Sequence, residues 1–329
     1  MRKPTFQPLG SVFKPFVAVH ALDRLADQGF GPGFVHSCEA PPGLSWAEWG
    51  GVRCHSQYGH GSMDLEGALQ VSCNCYFARL GDDLGPDGLA AVCQAFGFGQ
   101  PTGIESLGSG PPHLEVVPEI LQWTRDARLD RQVRRAANGL QVLEGTPAQL
   151  ARALCGLATG RLPSLALIER VGAQFLEPEP PRALPYSPQA LDFVRAAMVG
   201  VANSRQGSAH DELSSDRIGL EIAVKTGSAD LVARSLPGQA GPRRGKHTWL
   251  AGWAPARDPK LIFVVFLHDT VATASHSAAV VGRQLFELPE LRRYLTAEGL
   301  SLGPIAPPGE GRPAPKATPS VPRLPRLIR

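Results

Sequence analysis

Three short apolar segments in the last third of the chain constrain its fold most. They run from Leu220 to Val224, from His247 to Gly252 and from Leu261 to His268, and turn-forming residues separate them. Segments of this kind are typical of antiparallel strands. Because the middle third of the chain carries helical patterns instead, the sequence predicts an α+β fold.

Helix boundaries follow from capping residues and apolar spacing. Asp64 can cap a short helix, and Thr146 and Ser187 each place a capping hydroxyl before a proline at the first helical position. The predicted helices span residues 11–26, 64–71, 76–84, 147–158, 188–202 and 277–294. Residues 31–61 are rich in Gly, Pro, Trp and His without sustained periodicity, which predicts a long irregular loop.

Composition excludes several classes of protein. The 329 residues are 43% hydrophobic and 19% charged, which is enough apolar material for a soluble globular core. The net charge is only +3 and the charges are scattered, so no nucleic-acid partner is expected. The longest apolar run, Leu261 to Leu267, is far shorter than the roughly 20 residues that cross a bilayer as a helix. No export signal is predicted at the start of the chain.

The end of the chain has a composition of its own. After Gly303 it is loaded with Pro, Gly, Ala and Arg, and such a stretch cannot bury a core. We therefore expect one folded domain over residues 1–300 and a disordered tail over residues 301–329.

Three short motifs predict the chemistry. In the first motif, Ser11 and Lys14 stand three residues apart on a predicted helix, so both side chains project from one face. A lysine that is desolvated by apolar neighbours can accept the serine proton and so activate a nucleophile. Taken alone, Ser-x-x-Lys more often marks a solvated helix face.

The second motif, Ser72 and Asn74, falls between two predicted helices. Its hydroxyl can relay a proton to a leaving amine, and its amide can hold both Lys14 and a substrate carbonyl. The alternative is a pair of helix-capping residues.

The third motif, Lys225-Thr226-Gly227-Ser228, ends a predicted apolar strand. Its glycine lets a ligand approach the strand edge, its hydroxyls can bind a carboxylate, and Lys225 adds a positive field. The backbone N–H groups of Ser228 and Ser11 can together form an oxyanion hole.

The order and spacing of the three motifs resemble a known family. Such a trio is the signature of penicillin-binding proteins and class A β-lactamases. From Leu9 to about Leu295 the chain is similar to the transpeptidase domain of class B, monofunctional penicillin-binding proteins, most of all to the elongation-type members. The stretches that carry the resemblance are Leu9-Gly-Ser-Val-Phe-Lys-Pro-Phe, Gly59-His-Gly-Ser-Met-Asp-Leu, Phe96-Gly-Phe-Gly, Thr146-Pro-Ala-Gln-Leu-Ala and Lys246-His-Thr-Trp-Leu-Ala-Gly-Trp-Ala-Pro.

The resemblance implies a fold and a reaction. The fold is that of serine β-lactamases and D,D-peptidases, an antiparallel sheet covered by helices plus an all-helical subdomain. The reaction is peptidoglycan D,D-transpeptidation at the extracytoplasmic face of the cell membrane. Ser11 attacks a stem peptide that ends in D-Ala-D-Ala, with Lys14, Ser72, Asn74 and Lys225 as catalytic partners. The resemblance also implies inhibition by β-lactams, no cofactor, and a membrane glycosyltransferase as partner.

The chain departs from the family pattern in two places. It begins ten residues before Ser11, whereas the family carries several dozen residues there. The resemblance therefore predicts that the first strands of the sheet and a membrane anchor are missing. Where relatives have an Ile-Gly-Gln-Gly stretch, this chain has Asn138-Gly-Leu-Gln-Val-Leu-Glu-Gly.

Several cysteines and histidines have no assigned role. Three interpretations remain open for the five residues named next: a disulfide, a zinc cluster, or unrelated core and loop positions. No metal ligand is assigned. These residues are Cys38, Cys54, His36, His55 and His60. Cys73 and Cys75 are predicted to be small core residues.

Two other functions compete with transpeptidation. A serine β-lactamase would have to activate water against the acyl-enzyme, and the sequence has no Glu-x-x-Leu-Asn deacylation motif. A non-catalytic β-lactam sensor or scaffold would keep the site without turnover. Intact Ser11, Lys14 and Asn74 argue against simple decay of the site.

Overall fold

The computed structural model describes residues 7–40, 45, 52–56, 58–100, 102, 104, 129–140, 143–166, 170–175, 179–230, 245–270 and 277–305. Two 3₁₀-helices span Gly10–Phe13 and Ala26–Gln28. The α-helices are α1 (Lys14–Arg24), α2 (Leu65–Gln70), α3 (Asn74–Phe96), α4 (Leu129–Ala137), α5 (Pro147–Thr159), α6 (Pro188–Asn203), α7 (His210–Leu213), α8 (Ser215–Ile218), α9 (Ala278–Glu287) and α10 (Pro289–Ala297). The strands are β1 (Gln7–Pro8), β2 (His36–Ser37), β3 (Ser62–Met63), β4 (Glu144–Gly145), β5 (Arg161–Leu162), β6 (Arg170–Val171), β7 (Gln174–Phe175), β8 (Arg182–Ala183), β9 (Ala223–Asp230), β10 (Lys246–Ala254) and β11 (Leu261–Thr270).

The main sheet consists of β11, β10 and β9 in that order, and both pairings are antiparallel. The third motif was predicted to end the first of these strands, whose apolar segment begins at Leu220; the observed strand begins later and continues past the motif. The strand runs from Ala223 to Asp230, so the third motif lies within it. The reason is that β10 offers a pairing partner to each of these residues, so the ladder continues through the motif.

The side chains of β10 alternate between two apolar clusters, one on each face of the sheet. Helices pack on both faces. Trp249 and Trp253 point into the larger cluster, which includes residues of α1, α3, α5 and α6. Leu250 and Ala254 point into the smaller one, with α9 and α10. The helix α4 packs along α3. This is the predicted α+β arrangement.

Local sequence signals set most helix boundaries. The Thr146 and Ser187 hydroxyls cap α5 and α6 ahead of their prolines, as predicted. The single closing helix predicted over residues 277–294 is instead two, α9 and α10. Leu288 is extended and Pro289 starts the second helix, because a proline is accepted at a first turn but not in a helix interior.

The chain remains folded slightly beyond residue 300. The N–H of Gly303 donates to the carbonyl of Gly219 at 2.8 Å, and the Arg292 guanidinium donates to the Gly303 carbonyl at 2.6 Å. The predicted tail from residue 306 onward lies outside the described residues. In the described ranges, no helix combines the length and the apolar character that a membrane span requires.

Candidate active site

The predicted nucleophile, Ser11, lies in the 3₁₀-helix that leads into α1. The preceding residue, Gly10, has a φ of 59° and packs against the third motif. A Cβ at Gly10 would lie only 2.6 Å from the carbonyl oxygen of Ser228. Glycine is therefore needed at this position, and its absent side chain lets the nucleophile approach β9.

Lys14 opens α1, and its side chain is fully buried. Its ammonium donates to Asn74 Oδ1 at 2.7 Å and to the Ser72 carbonyl at 2.9 Å. Burial lowers the pKa of Lys14 to about 8, although the nearby Cys73 thiol partly opposes this shift. An amine with this pKa is partly neutral near pH 7 and can accept the proton of a serine hydroxyl.

Lys225, on the sheet, contacts Ser72 as Lys14 does. It is fully buried on β9, and its amine donates to Ser72 Oγ at 2.8 Å. Burial, and then the charge on Lys14, hold the pKa of Lys225 well below its ordinary value. The Ser72 hydroxyl thus lies between two amines, since Lys14 Nζ is 3.4 Å away on its other side. This arrangement can pass a proton from one side of the site to the other.

The second motif is held in place by its backbone. Ser72 has a φ of 59°, which is uncommon outside glycine, and its N–H donates to the Leu69 carbonyl at the end of α2. Asn74 begins α3, and its side-chain amide donates to the Arg53 carbonyl at 2.8 Å. With that amide fixed, Asn74 Oδ1 faces Lys14 as an acceptor.

A cavity of ≈ 300 Å³ opens over these groups. It is lined by Ser11, His55, Ser72, Asn74, Asn138, Leu140, Ser208, Thr226, Gly227, Ser228 and Lys246. Lys14 and Lys225 lie buried beneath it. The structure thus brings all eight residues singled out in the three motifs to one place.

Four polar side chains of this wall were not predicted to lie in the pocket: His55, Asn138, Ser208 and Lys246. Asn138 had a signal, because it stands where the chain departs from the family pattern. Ser208 had none, since it lies outside the three motifs. Its hydroxyl oxygen is 2.6 Å from Oγ1 of Thr226.

Four sulfur atoms form a compact cluster directly beside the second motif. The thiols of Cys38, Cys54, Cys73 and Cys75 lie within 4.8 Å of one another, and we call them the thiol cluster. Cys73 and Cys75 are buried, as predicted of core residues, yet their sulfurs are part of this set. All six cysteines of the chain are free, so the structure has no disulfide between Cys38 and Cys54.

An imidazole completes a possible metal-binding set. Nδ1 of His60 lies 3.2 Å from the Cys54 sulfur and 3.5 Å from the Cys38 sulfur. Hydrogen bonding with Cys73 and Cys75 lowers the pKa of Cys54, and hydrogen bonding with Cys54 raises the pKa of Cys73 to about 12. Thiolate and imidazole are the ligands that Zn²⁺ prefers. These residues could therefore hold such an ion.

The chain is similar to known proteins over most of its length. A family model described as the penicillin binding protein transpeptidase domain matches residues 2–287. The chain is 26% identical over 316 residues to peptidoglycan D,D-transpeptidase MrdA of Haemophilus influenzae, which covers 87% of this chain and 46% of that relative. It is 27% identical over 297 residues to peptidoglycan D,D-transpeptidase PbpA of Mycolicibacterium smegmatis, covering 84% and 53%. The chain thus spans about half the length of these curated relatives.

A solved structure is similar as well. PBP2 of Pseudomonas aeruginosa, in complex with WCK 5153, matches with a TM-score of 0.68 at 25% identity over 86% of this chain and 59% of that one. These matches confirm the predicted resemblance to elongation-type class B penicillin-binding proteins. Because the family match extends from residue 2 to residue 287, this chain belongs to the family of penicillin-binding protein transpeptidase domains.

Proposed function

We propose that this chain catalyses peptidoglycan D,D-transpeptidation through a serine acyl-enzyme. The observation that carries the proposal is the Ser72 hydroxyl, held between the amines of Lys14 and Lys225 below the pocket that contains Ser11. Two amines with lowered pKa values on one hydroxyl form a proton relay. Acyl transfer requires such a relay twice, once in each half-reaction.

In the first half-reaction, Ser11 Oγ attacks the carbonyl carbon of the penultimate D-alanine while neutral Lys14 takes its proton. The backbone N–H groups of Ser11 and Ser228 bind the oxyanion that forms. When the tetrahedral intermediate collapses, the C–N bond breaks. The departing D-alanine amine receives a proton through the Ser72 hydroxyl, and an ester to Ser11 remains.

The second half-reaction reverses these proton movements. The amine of a neighbouring stem peptide attacks the ester carbonyl and gives up a proton to the relay. The ester C–O bond then breaks, and Lys14 returns the proton to Ser11 Oγ. A new peptide bond, the cross-link, is the product.

The substrates and partners follow from the same family membership. We propose stem peptides that end in D-Ala-D-Ala as acyl donors, with their terminal carboxylate at Thr226 and Ser228. β-Lactams would acylate Ser11 in their place. Peptidoglycan lies outside the membrane, so the domain would act on the extracytoplasmic side with a membrane glycosyltransferase that supplies the glycan strands. The names of the curated relatives support the reaction.

Fluorescent penicillin tests the proposal. We expect the purified chain to form a covalent adduct that survives denaturing electrophoresis, and Ser11→Ala to abolish it. The adduct should persist because the sequence has no Glu-x-x-Leu-Asn deacylation motif. A synthetic peptide ending in D-Ala-D-Ala, supplied with a D-amino acid as amine acceptor, should release D-alanine and form the exchanged peptide.

Three results would contradict the proposal in different ways. Rapid hydrolysis of the penicillin indicates a β-lactamase. A stable adduct without peptide exchange indicates a sensor. Labelling that persists in Ser11→Ala would show that Ser11 is not the nucleophile.

A further inference from the structure

One residue of the pocket wall lies outside the three motifs but contacts the third one. Ser208 is exposed, lines the cavity with Thr226, Ser228 and Lys246, and has its hydroxyl oxygen 2.6 Å from that of Thr226. Either hydroxyl can be the donor in this short bond. The direction of the bond determines which proton is left for a ligand.

The main chain holds Ser208 in position from two sides. Its N–H donates to the carbonyl of Gln70, the last residue of α2, at 3.0 Å. The next N–H, that of Ala209, donates to Val201 in α6 at 3.1 Å. A Cβ at Gly207 would lie 2.3 Å from the Val201 carbonyl, so only glycine allows this close turn. Because α2 leads directly to Ser72, Ser208 is tied to the second motif as well as to the third.

Hydroxyl chemistry sets the order of donors. Each hydroxyl has one proton, so Thr226 can donate a hydrogen bond to a ligand only if it does not donate to Ser208. When Ser208 donates to Thr226, the Thr226 proton is free to point into the pocket. A chain of this kind also strengthens the outer donor, because hydrogen bonds in series polarise one another.

The nearby cation does not supply the same directionality. Lys246 lies 3.6 Å from a carboxylate oxygen of Asp230, and both side chains are well exposed. Such a surface pair is loosely held and contributes mainly positive potential. The geometry at this end of the pocket therefore depends on the hydroxyls.

We propose that Ser208 is a positioning residue for the acyl donor. It donates to Thr226, so that the Thr226 hydroxyl donates to the C-terminal carboxylate of the substrate. This inference rests on the proposed function, since it requires a ligand with a terminal carboxylate in this pocket.

Two matched ligands test it, a penicillin with its free carboxylate and the methyl ester of the same penicillin. For Ser208→Ala we expect acylation by the free acid to slow about tenfold, the loss of a hydrogen bond that supports a charged acceptor. The rate with the ester should stay within about twofold of wild type, since the ester cannot accept as a carboxylate does. Ser208→Thr keeps the hydroxyl and should restore the rate with the free acid.

The controls separate this role from a structural one. Ser215→Ala, on the short helix α8 outside the pocket, should match wild type with both ligands. In a Thr226→Val background, Ser208→Ala should have no further effect on the free acid. Equal slowing with both ligands, or no slowing with either, would overturn the positioning role while leaving the proposed function intact. A wild-type chain that neither ligand acylates would instead defeat the proposed function itself.

Discussion

Ser72 is the residue on which the two halves of the site depend. Lys14 comes to it from α1 and Lys225 from β9, and both amines are fully buried. Two buried ammonium groups beside one hydroxyl would repel each other strongly. The two amines are therefore not both fully protonated near neutral pH. The site is therefore ready to accept a proton before substrate arrives.

The pKa of Lys14 predicts a pH dependence. Its protonated form cannot act as a base, so acylation of Ser11 should accelerate as the pH rises through about 8, the value to which burial lowers this pKa. The measurement is the second-order rate of penicillin acylation from about pH 6 to about pH 10.

A lysine-to-arginine change is the control for that profile. Arginine stays charged over this range, so Lys14→Arg should lose at least about a hundredfold in rate and show no rise with pH. A wild-type rate that is flat, or that falls as the pH increases, would exclude Lys14 as the base.

Among the elements, the turn that follows α4 joins the first motif to the second. The N–H of Gly10 donates to the Gly139 carbonyl at 2.7 Å. Next to it, the Asn138 side-chain amide donates to the Asn74 carbonyl at 3.2 Å. This two-residue turn therefore holds the backbone of Gly10, just before Ser11, and the backbone of Asn74, although the turn belongs to neither motif.

Gly139→Ala should disrupt that turn. Gly139 has a φ of 70°, and a Cβ there would lie 2.0 Å from the Gly10 carbonyl oxygen. We expect a loss of more than about 2 kcal/mol in the free energy of unfolding, from the clash added to the cost of a positive φ. Chemical denaturation measures this loss, and penicillin labelling should fall with it.

Gly299→Ala isolates the effect of backbone conformation. Gly299 has a φ of 87° but no atom within 4 Å of its Cβ position. Gly299→Ala should lower the free energy of unfolding by about 1 kcal/mol. If the two variants were equally stable, close contact with Gly10 would not explain the glycine at position 139.

The thiol cluster connects two cysteines of the segment that was predicted to be an irregular loop to the start of α3. Cys38 and Cys54 come from that segment, whereas Cys73 and Cys75 flank Asn74. With His60 in contact with two of the sulfurs, the chain purified with zinc should bind about one ion and melt at a lower temperature after chelation.

Serine variants locate that ion. Cys54→Ser should lose the zinc measured by elemental analysis, whereas Cys155→Ser, at a half-buried position in α5, should retain it. A zinc-free chain whose melting temperature does not respond to the chelator would leave the cysteines as packing residues.

Across the whole molecule, the sequence predicted what local chemistry determines. Caps and prolines placed α5 and α6 correctly, and apolar runs located the three sheet strands. The extent of β9 was not predictable, because its length depends on pairing with β10. The role of Ser208 in the pocket and the presence of Cys73 and Cys75 in the thiol cluster were not predictable either, since both arise where distant segments meet and leave no periodic signal.

The long separation between the halves of the site also affects how the protein is made. Lys225 and Ser72 are 153 residues apart, and the Trp249 indole donates to the Pro8 carbonyl across 241 residues. A ribosome makes the segment with Ser11 well before β9 and β10, because synthesis runs from the N-terminal side. A chain that has been made only as far as α8 therefore carries Ser11 without Lys225 and without the Ser228 N–H group, and it should not react with penicillin until β9 and β10 have also been made.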